Sequence, residues 1–154
     1  MGLDQYMYAE KYYSQYTCDT DKKREDFDKI VETVGAVDYL DPMYSSAIVR
    51  VKVAQWRKAN QVHGWFVNNC QNGEDDCRDS YVDMEKLQEL KNLCEQVLAS
   101  PSDADDILPV TAGFFFGSNE YDEYYFEELK DTIKIIKKLE KMGNEWSFVY
   151  SSSW

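Results

Sequence analysis

The chain has 154 residues, with 17 Lys and Arg against 29 Asp and Glu, a formal net charge of −12, and 15% aromatic residues. The length suits one domain with a modest core, and 44% hydrophobic content argues against disorder despite the charge. The acidic balance disfavours sequence-independent binding to a phosphate backbone, and no apolar run approaches the roughly 20 residues of a membrane helix.

Met1 to Tyr6 lacks the basic and apolar regions of a signal peptide, so an intracellular, non-exported chain is expected. From Leu3 to Tyr13 the residues alternate: Tyr6, Tyr8 and Tyr12 share one parity, and Leu3, Met7 and Ala9 the other. This predicts a strand with two useful faces. Thr20-Asp21 can cap a helix in which Phe27, Ile30, Val31 and Val34 recur at helical spacing, with Gly35 ending it. Asp41-Pro42 marks a turn, and Val49, Val51 and Val53 alternate with Arg50 and Lys52 as a half-buried strand.

From about Gln55 the period changes to three and four, through Ala59, Val62, Phe66 and Cys70, which predicts a helix over Trp56 to Asn69. Gln71 to Asp76 reads as a polar loop. Asp83 can cap the next helix, whose buried stripe is Leu87, Leu90, Cys94 and Val97; Ser100-Pro101 stops it, and Ser102 to Asp106 reads as an acidic linker. Thr111 to Ser118 is an apolar run with two glycines, a short strand or a tight approach to a helix capped by Ser118 or Asn119. That helix carries acids early and lysines late, as its dipole favours, and Phe126, Leu129, Ile133 and Ile136 give its core face. Trp146, Phe148 and Tyr150 alternate as a closing strand. The sum is an α+β fold, a single compact domain over residues 1–154, with about four helices on a small, mainly antiparallel sheet.

The four cysteines, Cys18, Cys70, Cys77 and Cys94, form no Cys-x-x-Cys pair, and with a single His they do not make a zinc site. Reduced thiols are expected, with Cys94 a small core residue. No metal and no cofactor is expected: no Walker loop, dinucleotide fingerprint, Gly-x-Ser-x-Gly or His-x-x-x-His occurs.

Two blocks remain as candidate sites. On a helix, Trp56, Asn60 and His63 stack along one edge, with Arg57 and Gln61 in the neighbouring row. An indole, an amide, an imidazole and a guanidinium in line suit a planar polar ligand with a phosphate or carboxylate; equally, Trp56 can be packing, Arg57 a partner for an acid, and His63 a satisfied core-edge residue. The second block, Gly117 to Phe126, adds Ser118, Tyr121 and Tyr124 at a helix start. Its acids Glu120, Asp122 and Glu123 weaken a phosphate reading there.

Three segments carry a resemblance: Met1-Gly2-Leu3-Asp4 with a following Tyr; Trp56-Arg57-Lys58-Ala59-Asn60-Gln61-Val62-His63 followed by Trp65-Phe66-Val67; and Gly113-Phe114-Phe115-Phe116-Gly117-Ser118 followed by Glu120-Tyr121-Asp122-Glu123. Together they resemble a family of short bacteriophage and prophage proteins with no settled activity. Gln5 stands where that pattern has Met, and Gly64 where a larger polar residue is commoner. The resemblance implies a viral accessory protein acting in the host bacterial cytoplasm, by binding, against host defence.

Three readings follow. In the first, Trp56, Arg57, Asn60 and His63 meet Ser118, Tyr121 and Tyr124 and capture a nucleotide-like small molecule. In the second, Asp75, Asp76, Asp103, Asp105, Asp106, Glu120, Asp122 and Glu123 form an acidic surface that imitates nucleic acid and blocks a basic host defence protein. In the third, His63 serves a small hydrolase or transferase. None calls for direct nucleic-acid or membrane binding, and 12 Tyr, 7 Phe and 4 Trp are compatible with a homo-oligomer.

Overall fold

The computed structural model describes residues 2–16 and 21–154; Cys18 and the Thr20-Asp21 cap lie outside the described residues and side chains. The order is β1 (Asp4–Ser14), α1 (Asp21–Thr33), a 3-10 turn at Val37–Tyr39, β2 (Ser46–Arg57), α2 (Asn60–Cys70) and β3 (Ser80–Val82). It continues through α3 (Met84–Ala99), a 3-10 turn at Pro101–Asp103, α4 (Ala104–Ile107), α5 (Glu123–Leu139) and β4 (Ser147–Ser153). Among the described residues the fold is α+β, with five α-helices on a four-stranded antiparallel sheet of order β2-β1-β4-β3. No helix among the described residues is long and apolar enough to cross a membrane.

The chain divides into two compact units, one of residues 1–9 and 52–154 and the other of residues 10–51. In the smaller unit, Phe27 and Val31 are the buried residues of α1, while Val34 is exposed beyond the end of the helix. Gly35, at φ +70°, ends it: its N–H bonds the Glu32 carbonyl, and the Ala36 N–H reaches back to Val31. The turn at Asp41 is held by its carboxylate, which accepts the Met43 and Tyr44 N–H groups at 2.7 and 2.8 Å and is thereby held below the usual carboxylate range.

In the larger unit the strand parity of β1 appears as expected. Leu3, Gln5, Met7 and Ala9 are buried and Tyr6 and Tyr8 half-buried. The α3 stripe of Leu87, Leu90, Cys94 and Val97 is fully buried and packs with α5, which contributes Tyr125, Leu129, Ile136 and Leu139. β4 presents Phe148, Val149 and Tyr150, all buried, and pairs antiparallel with β3 in the register Ser80 to Tyr150 and Val82 to Phe148.

Three expected boundaries need correction. The helix expected from Trp56 begins at Asn60; Trp56 and Arg57 are the last residues of β2. Trp56 is held there because its indole N–H donates to Thr132 Oγ1 at 2.9 Å, and Lys58, at φ +62°, turns the chain before a helix can start. The Ser102 to Asp106 linker is helical, divided between a 3-10 turn and α4, because Ala104 and Leu108 are buried and draw it onto the core. Finally, α5 starts at Glu123 with Asp122 as its cap, accepting the Tyr125 N–H at 3.1 Å, so Ser118 and Asn119 precede the helix.

Candidate functional site

All of the site lies within the larger unit, and it begins with how α2 is seated. Residues Asn60 to Val67 are buried on every side of the helix, so the polar edge expected at the rim of the core is inside it. A buried amide or imidazole is costly unless bonded, and each one here has partners. Asn60 accepts the Thr111 N–H at 3.0 Å and donates to the carbonyls of Phe116 and Ser118, the latter at 2.7 Å. His63, with 0% exposure, places Nδ1 2.8 Å from the Tyr150 hydroxyl and Nε2 2.9 Å from Asp75 Oδ2. Tyr150 in turn donates to Gln5 Oε1, Gln5 donates to the Ala59 carbonyl, and Asp75 accepts the Trp154 indole N–H. This chain of bonds ties β1, α2, the loop after α2 and β4 together.

Asn60 also explains the glycine-bounded aromatic run. Its amide grips the 111–118 segment, which turns with the Phe116 N–H on the Gly113 carbonyl. A Cβ at Gly113 would lie 2.5 Å from the Phe116 ring, and Gly117 sits at φ +96°, where an added Cβ would lie 3.0 Å from Lys58 Cβ. Leu3 completes the meeting: its N–H bonds the Phe115 carbonyl at 3.0 Å, and its carbonyl accepts the Lys58 N–H at 2.8 Å. The three sequence blocks, far apart in the chain, therefore converge on one place.

Beside that place is a cavity of about 370 Å³, inside the range of roughly 300–1,000 Å³ typical of small-molecule sites. Arg57, Lys58 and Gln61 line it from the β2–α2 junction, Ser118 and Glu120 from the following loop, and Tyr124 and Glu128 from α5. Tyr124 is 80% exposed, a ring free to stack on a ligand. The Arg57 guanidinium is exposed, with a long approach of 4.0 Å to Asp4 as its contact among the described residues. Gln61 donates to Glu128 Oε2 at 3.2 Å and to the Tyr125 carbonyl at 3.5 Å. Burial raises the Glu128 carboxyl from an ordinary value near 4.5 to about 7, against the lowering effect of Gln61. Arg57 and Glu128 also line an adjoining cavity of about 390 Å³ with Trp56, Asp131 and Lys134. A smaller cavity of about 190 Å³ near β3, lined in part by Tyr81, Met84 and Glu140, offers no cation.

Of the residues singled out from sequence, Arg57, Asn60, Ser118 and Tyr124 line the 370 Å³ cavity, with the Asn60 amide already engaged by backbone. Trp56 lines the adjoining one. His63 is sealed in the core, and Tyr121 donates to Asp105 while accepting the Val110 N–H. Lys58, Gln61 and Glu128 line the cavity without a distinctive motif in the sequence; Gln61 alone of these carries a signal, its place in the row beside Arg57.

The acidic residues are dispersed into separate tasks. Asp75 holds His63 and Trp154, Asp76 pairs with Arg78, and Asp103 accepts from Ser102. Asp105 accepts from Tyr121, Asp122 caps α5 and Glu123 lies in its first turn, whereas Glu120 lines the cavity and Asp106 lies in α4. Burial pushes the Cys70 thiol up to about 11 and Cys94 up to about 12, which removes the thiolate character that nucleophilic work requires. No protein-family model, curated protein or solved structure matches the chain.

Proposed function

We propose that this is a phage accessory protein that acts by non-catalytic binding, holding a nucleotide-like small molecule in the cavity at the β2–α2 junction and thereby antagonising host defence. The observation that carries the reading is the lining of that cavity: two cations, Arg57 and Lys58, share it with the exposed aromatic ring of Tyr124 and the Gln61–Glu128 pair. Phosphate, base and base edge each have a matching chemistry there. The phage origin rests on the resemblance carried by the three blocks, which meet beside this cavity. A binding role is favoured over a catalytic one because the single His is sealed away from the cavity, with both ring nitrogens engaged by Tyr150 and Asp75.

The test is isothermal titration of the purified chain with nucleoside monophosphates, followed by mass analysis of the recovered ligand. Saturable binding is expected, weakened about tenfold or more in Arg57→Ala, with the nucleotide recovered intact. Absence of binding to every nucleotide would overturn the reading. Ligand returned chemically altered would replace it with an enzymatic one. An acidic-surface inhibitor would instead tolerate Arg57→Ala and lose its partner on neutralising Asp105 and Asp106.

A further inference from the structure

On the wall of the cavity formed by Gln61 and Glu128 the hydrogen-bonding capacity is lopsided. The amide hydrogens of Gln61 are engaged by Glu128 Oε2 and the Tyr125 carbonyl, and those of Asn60 by the carbonyls of Phe116 and Ser118. Gln61 is itself buried and serves to hold Glu128 Oε2, which leaves the half-buried Glu128 carboxylate as the acceptor that this wall offers a ligand. A ligand head that fits must donate twice, side by side, and must carry an anionic group for Arg57 and Lys58.

The Watson–Crick edges of the four bases differ in this respect. Adenine and cytosine place a ring-nitrogen acceptor beside their amino group, which would set acceptor against acceptor. Uracil offers one N–H between two carbonyls. Guanine alone presents a ring N–H next to an exocyclic amino group, the edge that a carboxylate accepts as a fork.

We infer that the Gln61–Glu128 pair makes this cavity selective for a guanine nucleotide, with Glu128 accepting from the base and Arg57 and Lys58 holding the phosphate. The inference rests on the nucleotide-binding reading above and gives it a base. The charged groups around Glu128 are Arg57 and Lys58 from the β2–α2 junction, Glu120 and Asp122 from the loop, and Asp131 and Lys134 along α5. Guanine favours the ionised carboxylate, whereas adenine can pair with the protonated one, so the preference for guanine grows as pH rises through the titration of Glu128.

The experiment is competitive titration of the full chain with GMP, IMP and AMP at pH 6 and pH 8. IMP keeps the ring N–H and lacks the amino group, so it separates the two donors. The expected order is GMP over IMP over AMP, with GMP at least about tenfold tighter than AMP at pH 8. The GMP-to-AMP ratio should fall toward pH 6; taking a ratio cancels the titration of the phosphate they share. In Glu128→Gln the ratio should collapse to within about threefold and lose its pH dependence. Cooperative thermal unfolding of that variant shows that it is folded, and the pH dependence of the wild-type ratio tests the inference without any variant. AMP binding as tightly as GMP, or a ratio unchanged in Glu128→Gln, overturns the guanine assignment while the nucleotide reading stands. Failure of all three to bind overturns the guanine assignment, and failure of UMP and CMP as well overturns both.

Discussion

Gly64 shows how a single residue can be read wrongly from local preference alone. A glycine within a helix costs up to about 1 kcal/mol relative to alanine, so Gly64→Ala looks stabilising on propensity. In the structure a Cβ at Gly64 would sit 2.0 Å from Thr111 Oγ1 and 3.2 Å from Thr111 Cβ. Thr111 has little room to retreat, because its N–H is bonded to Asn60 Oδ1. Overpacking of this kind costs about 1–3 kcal/mol. Gly64→Ala should therefore lower the urea midpoint, and Thr111→Ala in the same chain should restore much of the loss. A stabilised single variant would mean that the Thr111 segment yields freely. Glu128 gives a second prediction at this scale. Its carboxyl titrates near 4.5 when unfolded and about 7 when folded, so between those values the native state binds more protons than the unfolded one. Stability from this group is then fully present below pH 4.5 and falls as pH rises to about 7. Glu128→Gln should match the wild type at pH 4 and exceed it at pH 8 by about 1 kcal/mol, the linkage being reduced because the carboxyl reaches water. Equal stability of the two at both pH values, by urea unfolding, would refute it.

At the scale of elements, the β2–α2 junction concentrates both the strain and the site. Lys58 is held at φ +62°, a conformation that costs a residue with a side chain about 1–2 kcal/mol. It persists because the Lys58 N–H and C=O are fixed by the Leu3 carbonyl and the Asn60 N–H, and such strain gathers at functional sites. Lys58→Gly should relieve it, raising stability by up to about 1 kcal/mol after the added flexibility of glycine in the unfolded chain is counted. The same change deletes a cavity cation and should weaken nucleotide binding. Lys58→Ala is the control: it should lose the same binding without the gain, and a destabilised Lys58→Gly would show that packing of the lysine stem on Gly117 outweighs the strain. This junction is also where sequence reading failed. Parity in β1 and the stripe of α3 were legible because burial on one face imposes a period on the residues. Trp56 fits a helical period and a strand parity equally well, and its bond to Thr132, 76 residues away, decides between them. The same holds for Asn60 and His63. Their types announced something polar near the core, yet only tertiary partners show that they fasten the fold while Arg57 and Lys58 face the cavity. Glu128 left no trace, since one acid among several at the start of α5 carries no pattern until Gln61 is placed beside it.

For the whole molecule the relevant quantity is the charge of −12, set against a proposed site in which two cations line the cavity. Under the proposed reading, a nucleotide approaching from a distance would meet net repulsion, and only within the cavity would it meet Arg57 and Lys58. Long-range repulsion is screened by salt far more effectively than contacts inside a partly enclosed site. The Debye length falls from about 30 Å at 0.01 M to about 8 Å at 0.15 M ionic strength, so the barrier to approach shrinks while the local attraction largely survives. The association rate of a fluorescent guanine nucleotide should therefore rise over that range, opposite to the decline seen when a basic surface steers an anion inward. Stopped-flow mixing at several salt concentrations measures it directly. Neutralising acids outside the cavity lining, such as Asp105 and Asp106 together, should raise the low-salt rate and flatten the dependence, and Arg57→Ala should raise the dissociation rate at every salt concentration. A rate that falls with salt would show that the two cations govern the field outside the cavity as well as within it, and the −12 would then have no part in how the ligand arrives.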